Sequence, residues 1–241
     1  MLSDRETVTL FMGNYGSGKT EVAVNFALHL AENDFPMKLA LVDLDLVNPY
    51  FRSRETRQVL EDAGIRVILP DAQYMHADLP ILVPAVRSVL MASTSYAILD
   101  VGGDDVGARV VGALSDALDH EHVRALMVVN ANRPFTGDAT GVERICREIE
   151  AAGHINMAGF VSNTHLMEET VLETILEGVE LSRKVETLTG IPLEFVCVPR
   201  DLVDEVKKHV SEDILPIRRL MMPPWKAPEG GAMGKDIFRL L

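Results

Sequence analysis

The sequence predicts an α/β fold: a doubly wound, mostly parallel sheet of about seven strands with helices on both faces. Short apolar runs alternate with longer helical stretches along the chain, which is the pattern of repeated strand–helix units. Several of the apolar runs contain almost no polar residue, as expected for parallel strands buried on both faces. The 241 residues, 47% of them hydrophobic, suffice for a sizeable core without disulfide or metal crosslinks.

The predicted elements follow one another in a regular order. The strands are expected at residues 7–12, 38–43, 66–69, 96–101, 124–129, 155–162 and 193–198. The helices are expected at residues 18–32, 54–63, 80–92, 106–118, 137–152, 168–189 and 202–209. No linker or internal repeat separates these elements. We therefore predict one domain over residues 1–222 and a C-terminal tail over residues 223–241, which packs back on the domain or docks on a partner.

Composition and charge exclude several classes of function. The formal net charge of −13 argues against a general nucleic-acid-binding protein, because such proteins usually present a basic face. The two cysteines, Cys146 and Cys197, form no CxxC pair, so we expect buried reduced thiols, with a disulfide between them left open. No apolar run is long enough for a membrane span, and the polar N-terminus differs from a signal peptide. We therefore expect a cytoplasmic protein with neither a nucleic-acid nor a membrane partner.

The first strand leads into a glycine-rich loop that fits the phosphate-binding pattern G-x-x-x-x-G-K-[ST]. Its residues are Gly13, Asn14, Tyr15, Gly16, Ser17, Gly18, Lys19 and Thr20. Glycines let the backbone approach a phosphate closely, and successive N–H groups with the helix N-terminus form an anion-binding cradle. We predict that Lys19 is a catalytic cation at the β- and γ-phosphates of a nucleotide, and that the Thr20 hydroxyl binds Mg²⁺.

Two further strands end in carboxylates, which places them at the edge of a parallel sheet where ligands bind. Asp43 and Asp45 follow the second strand, and their spacing puts both on one side. Asp43 is predicted near the metal, and Asp45 as the catalytic group that orients the attacking water. Asp100 ends a later strand in a Walker B pattern and is predicted to hold Mg²⁺ through a bound water. The backbone of Gly102 and Gly103 is predicted to contact the γ-phosphate.

Taken together, these motifs resemble the MinD/ParA/nitrogenase-iron-protein class of P-loop NTPases over roughly residues 7–210. Residues 41–45 resemble the hhhDxD strand of that class, residues 48–54 its switch I and residues 100–104 its switch II. The resemblance implies that the chain binds ATP with Mg²⁺ and that Asn163 reads the adenine. The residues that it implies along the base are Pro199, Arg200 and Asp201. An N-K-x-D run, which is typical of guanine-binding proteins, is absent after Asn163, and this favours ATP over GTP.

The chain departs from this class at two positions. Asn14 stands where the class has a signature lysine that reaches the partner subunit's nucleotide in a sandwich dimer. A nucleotide-dependent homodimer would then need another cation, for which Arg52 and Arg54 in the switch I region are candidates. The second departure is the absence of cysteine at residues 106–108, where the nitrogenase iron protein has a cluster ligand. We therefore expect no bridging iron–sulfur cluster.

The sequence leaves three functions open. The first is a slow ATPase, converting ATP and water to ADP and phosphate, that acts as a conformational switch on an unidentified protein partner. The second is an ATP-dependent ligase or amidase of the dethiobiotin-synthetase or cobyrinate-amidase type. Its small-molecule substrate would bind near residues 71–83 and 130–136. The third is a nucleotide-binding regulator without significant turnover.

Overall fold

The computed structural model describes residues 6–45, 53–68, 82–91, 94–103, 105–114, 118 and 122–220. The strands are β1 (Val8–Met12), β2 (Lys38–Leu44), β3 (Arg66–Ile68), β4 (Ser95–Val101), β5 (Val123–Val129), β6 (Gly159–Ser162), β7 (Leu193–Pro199) and β8 (Asp213–Ile217). The helices are α1 (Lys19–Glu32), α2 (Ser53–Asp62), α3 (Leu82–Leu90), α4 (Asp105–Ala113), α5 (Ala139–Gly153), α6 (Leu172–Thr189) and α7 (Val203–Val206). Single 3-10 turns span Met167–Glu169 and Arg200–Leu202.

The eight strands form one parallel sheet in the order β3-β2-β4-β1-β5-β6-β7-β8. The strand β1 lies near the centre, with β4 on one side and β5 on the other. Because every strand runs in the same direction, the carboxyl ends of β1, β2, β4, β5 and β6 lie at one edge of the sheet. Ligands of doubly wound sheets bind at this edge, where the strand order changes direction. The order changes here beside β1.

The predicted fold class is confirmed, with helices packed on both faces of the sheet. Alternate residues of β1 enter different cores: Leu10 faces the layer that contains α4 and α5, whereas Phe11 faces the layer under α1. In the second layer Phe11 meets Phe26 edge to face at 5.3 Å between ring centroids. Phe26 in turn stacks on Phe195 of β7 at 6.0 Å. These aromatic contacts fix the middle of α1 against the sheet and so help to position the loop that precedes the helix.

The structure differs from the prediction of about seven strands, because the described residues contain an eighth, β8. Pro216 interrupts this short segment, and a proline inside an apolar run argues against a strand. Proline is nevertheless tolerated here, since β8 is the edge strand of the sheet as far as the described residues show, with β7 as its neighbour. The helix predicted at residues 202–209 is also shorter than expected, because it consists of a 3-10 turn followed by α7.

Several predictions concern residues outside the described part of the chain. They include Arg52, most of the proposed switch I segment and the tail at residues 223–241. The side chain of Arg54 is not described either. Cys146 and Cys197 are both buried and unpaired, as expected from the sequence. Of the helices that can be described, none combines the length and the apolar character needed to cross a bilayer.

Candidate phosphate- and metal-binding site

The glycine-rich loop connects β1 to α1 at the centre of the sheet edge. Gly13, Gly16 and Gly18 have φ values of 140°, 74° and 85°, a region of backbone space that side chains disfavour. Space is limiting as well: a Cβ on Gly13 would lie 2.5 Å from the carbonyl oxygen of Val128 in β5. The loop therefore adopts its curled path only with glycine at these positions. Its amide groups and the N-terminus of α1 form a cradle suited to phosphate.

Lys19 lies in the cradle and links it to the loop after β4. Its Nζ is 3.4 Å from the carbonyl oxygen of Asn14. A Cβ on Gly103 would come within 2.7 Å of Lys19 Nζ and 3.0 Å of the Tyr15 backbone nitrogen. The Ser17 hydroxyl oxygen is buried in the same loop without a hydrogen-bond partner among the described residues. A bound phosphate would give the Ser17 hydroxyl a hydrogen-bond partner.

A carboxylate cluster adjoins the N-terminus of α1. Asp43 of β2 and Asp100 of β4 are directly opposite in the sheet register, and both are buried. The Thr20 hydroxyl donates a hydrogen bond to Asp100 Oδ2, and Asp43 Oδ1 accepts one from the backbone N–H of Asp45 at 2.9 Å. The second oxygen of Asp100, Oδ1, is buried and has no partner among the described residues. The predicted metal-binding residues Thr20, Asp43 and Asp100 thus lie together.

Burial raises the pKa values of the two carboxyl groups in this cluster. Burial raises the pKa of Asp100 to about 7, although Lys19 and the Thr20 hydroxyl act in the opposite direction. The pKa of Asp43 is likewise raised well above its usual value, first by burial and then by repulsion from Asp100. A divalent cation would offset this repulsion.

The site fits magnesium better than a metal held by the protein alone. Within the described ranges, no group of three or more His, Cys, Asp or Glu side chains could enclose a metal ion. Magnesium commonly binds through one or two carboxylates, several waters and the phosphates of a substrate. Thr20 and Asp100 would hold such an ion with their side-chain oxygens.

The remaining residues of the phosphate side are adjacent to one another. A Cβ on Gly102 would lie 3.4 Å from Asp45 Oδ1, so the carboxylate of Asp45 is next to the loop that follows β4. Lys19 approaches that loop from the other side through Gly103. Lys19, Asp45, Gly102 and Gly103, which the sequence predicts around a γ-phosphate, are thus close to one another, and their role there stays a prediction.

Asn163, the predicted adenine-reading residue, is buried against the phosphate-binding loop. Its Nδ2 donates to the carbonyl oxygen of Ser17 at 2.7 Å, and a Cβ on Gly18 would lie only 2.4 Å from that nitrogen. This hydrogen bond fixes the orientation of the amide, because a carbonyl oxygen can only accept. The other end of the amide, Oδ1, has no donor among the described residues and is available as an acceptor.

The structure does not bring the predicted residues after β7 to this loop. Arg200 lies 3.4 Å from Glu32, in the last turn of α1. A 14-residue helix is about 20 Å long, so the Arg200 guanidinium is near the opposite end of α1 from Lys19. Pro199 pairs with Ile217 of β8, and Asp201 is exposed in the 3-10 turn. A base-lining role for Pro199, Arg200 and Asp201 has no support in this geometry.

The loop after β5 contacts the phosphate-binding loop in a way that the motifs did not predict. The Nε of Arg133 donates to the carbonyl oxygen of Gly16 at 2.8 Å. In the other direction, Nδ2 of Asn14 donates to the carbonyl oxygen of Pro134 at 2.9 Å. Asn14, at the position of the signature lysine, is therefore engaged within its own chain. The sequence had marked residues 130–136 as a loop at the ligand edge, but not as a support for the P-loop.

An open cavity of about 750 Å³ lies on the outer side of this supporting loop. Arg133, Phe135 and Arg144 are among its lining residues. Phe135 is 65% exposed and has a positive φ of 70°, which is unusual for an aromatic residue. The Arg144 guanidinium carbon lies 5.9 Å from the centre of the Phe135 ring. An aromatic ring with two nearby cations thus flanks the P-loop.

A second unpredicted contact comes from the segment after β8. This segment, Arg218–Leu220, runs beside the first half of α1. Its Arg219 forms an ion pair with Glu168 in the loop after β6. That loop also holds His165, whose pKa is lowered to about 4 by burial and then by the positive charges of Arg133 and Arg219. No sequence pattern marked these contacts, because they depend on the unpredicted strand β8.

Comparisons with known proteins place the fold. No protein-family model and no curated protein matches the chain. Among solved structures, chloroplast FtsY from Physcomitrella patens is 18% identical with a TM-score of 0.54, and the match covers 81% of this chain and 59% of that one. Cell division protein FtsY from Thermotoga maritima is 19% identical with a TM-score of 0.51, covering 80% and 62%. FlhF complexed with GMPPNP/Mg²⁺ is 12% identical with a TM-score of 0.50, covering 80% and 66%.

The chain thus spans about three fifths of the length of the two FtsY structures. At these identities the likeness shows the fold alone. The chain shares with these structures an α/β fold built on a parallel sheet, and its glycine-rich loop at the first strand–helix junction fits the phosphate-binding pattern. A relation to the MinD/ParA class stays a prediction from the motifs.

Proposed function

We propose that this protein binds Mg·ATP and hydrolyses it slowly as a conformational switch that acts on a partner protein. The observation that carries the proposal is the link from the P-loop to the carboxylate cluster. Lys19 and Thr20 begin α1, and Thr20 bonds to Asp100, which lies opposite Asp43. Phosphate-binding and metal-binding groups therefore meet at one point, as Mg·nucleotide chemistry requires.

In the proposed reaction the P-loop amides and Lys19 hold the β- and γ-phosphates while water attacks in line. Bound Mg²⁺ would neutralise charge on the phosphate oxygens. Asp45, next to Gly102, orients the attacking water, and the backbone of Gly103 approaches the γ-phosphate. Loss of that phosphate would release the loop after β4, which gives the switch its two states.

The orientation of Asn163 supports adenine as the base. Because Nδ2 donates to Ser17, the amide presents the acceptor Oδ1. On the edge that carries N7, adenine has a donor at N6, whereas guanine has only the acceptors O6 and N7, so an acceptor that faces this edge favours adenine. FlhF was crystallised with GMPPNP, a guanine nucleotide analogue, so GTP is the rival ligand that any test must include.

The hydrogen bond of Asn14 bears on whether a second copy of the chain or a different protein is the switch's partner. Its amide is hydrogen-bonded to Pro134 in the same chain, so it does not supply the trans contact of a sandwich dimer. We propose that switching depends on a separate protein partner, and that a nucleotide-dependent homodimer would require a cation from elsewhere, such as Arg52 or Arg54.

A second candidate, an ATP-dependent ligase or amidase, is favoured by the cavity beside the P-loop. Its volume of about 750 Å³ is in the range of small-molecule sites, and Arg133 and Arg144 could bind a carboxylate. Arg133 also contacts Gly16, so a ligand in the cavity would lie close to the phosphate cradle.

Phosphate release from Mg·ATP tests the proposal. The wild-type protein should hydrolyse ATP without a metabolite, and Asp45→Asn should lower the single-turnover rate by about 100-fold or more. Asp34→Asn, the same change at an exposed position near the far end of α1, is the matched control. Asp45→Asn with the wild-type rate would exclude the assigned water-orienting role. Hydrolysis that occurs only with an added carboxylate metabolite would favour the ligase.

A further inference from the structure

The two sides of the P-loop differ in chemistry, and the difference sets the direction in which a bound nucleotide extends. Asp100 and Gly103 mark the metal and γ-phosphate side, next to Lys19. On the other side, Asn163 and His165 lie over Gly18: His165 Nε2 is 3.4 Å from where a Cβ of Gly18 would be. In a nucleotide the ribose and base are attached to the α-phosphate, on the side opposite the γ-phosphate. They therefore extend towards the first turns of α1 and the loop after β6.

The segment Arg218–Leu220, which we call the strap, crosses this region. The buried Asn25 of α1 holds it through two bonds: Oδ1 accepts from the Arg218 N–H at 2.7 Å, and Nδ2 donates to the Arg218 carbonyl at 2.9 Å. One turn earlier in α1, Glu21 Oε1 accepts from the Leu220 N–H at 2.7 Å. Glu21 directly follows Thr20, so the strap reaches the position where α1 leaves the phosphate cradle.

The strap is also tied to the loop after β6. Arg219 Nη1 lies 2.6 Å from Glu168 Oε1, in the 3-10 turn that follows Asn163 and His165. The positive charge of Arg219 contributes to the lowered pKa of His165, which agrees with a position near that ring. The strap thus spans from α1 to the loop that carries the predicted base-reading residue.

Resting on the proposed nucleotide-binding function, we propose that the strap is the outer wall of the nucleobase pocket and that the Glu168–Arg219 ion pair latches it. The pair is too exposed, at 54% and 30% of the two side chains, to add much to folding stability. The ion pair instead affects the rate at which the nucleotide dissociates. A base held between α1 and the loop after β6 must pass the ion pair when it leaves. The phosphates are held on the other side of Gly18 and do not depend on it.

The test is the dissociation rate of a ribose-labelled fluorescent ATP from the full chain, measured by displacement with excess ATP. Arg219→Gln and Glu168→Gln should each raise this rate about three-fold, in line with the strength of such ion pairs. The double charge reversal Glu168→Arg with Arg219→Glu should return it to within two-fold of wild type. Inorganic tripolyphosphate, which has no base, should compete equally well in all variants.

Arg183→Gln is the matched control. It removes an arginine of the same charge from an ion pair with Glu212, which also joins a helix to the β8 region but lies outside the base pocket. Its dissociation rate should equal that of wild type. The latch is overturned if Arg219→Gln and Glu168→Gln leave the rate unchanged, or if tripolyphosphate binding falls in parallel, which would indicate an effect on the P-loop. A wild-type protein that binds no nucleotide overturns the proposed function as well as the latch.

Discussion

The phosphate side and the base side of the sheet edge are built in different ways. On the proposed phosphate side, the candidate catalytic and metal-binding groups come from short motifs at the ends of β1, β2 and β4 and lie close to one another. On the proposed base side, Asn163 is the one motif residue in the described part of the chain that reaches the P-loop. The rest of that side is closed by Arg218–Leu220 and by the loop after β5, through hydrogen bonds to backbone atoms.

This difference shows where local sequence determines a site and where the tertiary fold does. A P-loop forms because its glycines and the following helix are adjacent in the chain. The strap forms because Asn25 finds a partner 193 positions further along, at a residue of no particular chemical type. Substitutions on the phosphate side should therefore affect chemistry, and substitutions on the base side should affect stability and nucleotide exchange.

The largest effect is expected for Lys19→Ala on the phosphate side. Removing one preorganised cation from developing charge typically lowers turnover by about 10²–10³-fold. Single-turnover phosphate release measures the change, with Lys184→Ala, an exposed lysine on α6, as the control. A loss of less than five-fold would remove Lys19 from the catalytic assignment and weaken the contrast between the two sides.

A smaller loss of turnover should follow Gly103→Ala. The new Cβ would lie 2.7 Å from Lys19 Nζ and 3.0 Å from the Tyr15 backbone, so the loop after β4 must move away. Displacement of this size lowers rates by about 10- to 100-fold. Gly112→Ala in α4 is the control, since its Cβ would meet Ala152 at an ordinary 3.5 Å. Equal turnover of the two variants would show that the loop tolerates a side chain at residue 103.

Asn25→Ala tests the base side through stability. The substitution leaves the Arg218 N–H and carbonyl without their buried partner, and we expect the free energy of unfolding to fall by about 2 kcal/mol. Urea denaturation measures this loss. Asn132→Ala, at an exposed asparagine whose side chain has no hydrogen-bond partner among the described residues, should change the free energy by about 0.5 kcal/mol or less. A stable Asn25→Ala protein with unchanged nucleotide exchange would separate the strap from the base pocket.

His165 should add a pH dependence to the stability of the nucleotide-free protein. Its folded-state pKa is about 4 against an ordinary value of 6.5, so between these values the unfolded chain binds more protons and the free energy of unfolding falls as the pH falls. From pH 7 to pH 5 the loss should be roughly 1 kcal/mol, which allows for partial exposure of the ring. His165→Gln should remove that part of the slope, and His209→Gln, at an exposed histidine, should retain it. Parallel slopes in the two variants would exclude His165 as its source.

The sequence predicted the phosphate side in detail, because strand ends, glycines and carboxylates are local patterns with a fixed relation in a parallel sheet. Asp43 and Asp100 were both predicted near the metal from their positions at strand ends, and the sheet register places them opposite each other. The strand β8 was missed because Pro216 weakens its pattern, and the strap was missed with it.

Side-chain contacts between loops were the least predictable feature. Arg200 follows the last predicted strand, as a base-lining residue would, yet its guanidinium contacts Glu32 near the far end of α1. Such contacts depend on the twist of the sheet and the packing of α1, and a short sequence motif predicts neither. For the same reason Asn14 was predicted as a phosphate-binding residue, but not as a donor to Pro134.

The most direct test is an equilibrium titration of the full chain with Mg·ATP and Mg·GTP under the same conditions. The acceptor at Asn163 Oδ1 and the P-loop geometry predict one saturable ATP site per chain, with affinity at least about ten-fold higher than for GTP. That affinity should fall in Lys19→Ala. Saturable binding of GTP but not ATP would contradict the assigned base, and no saturable binding of either nucleotide would contradict the nucleotide-binding role.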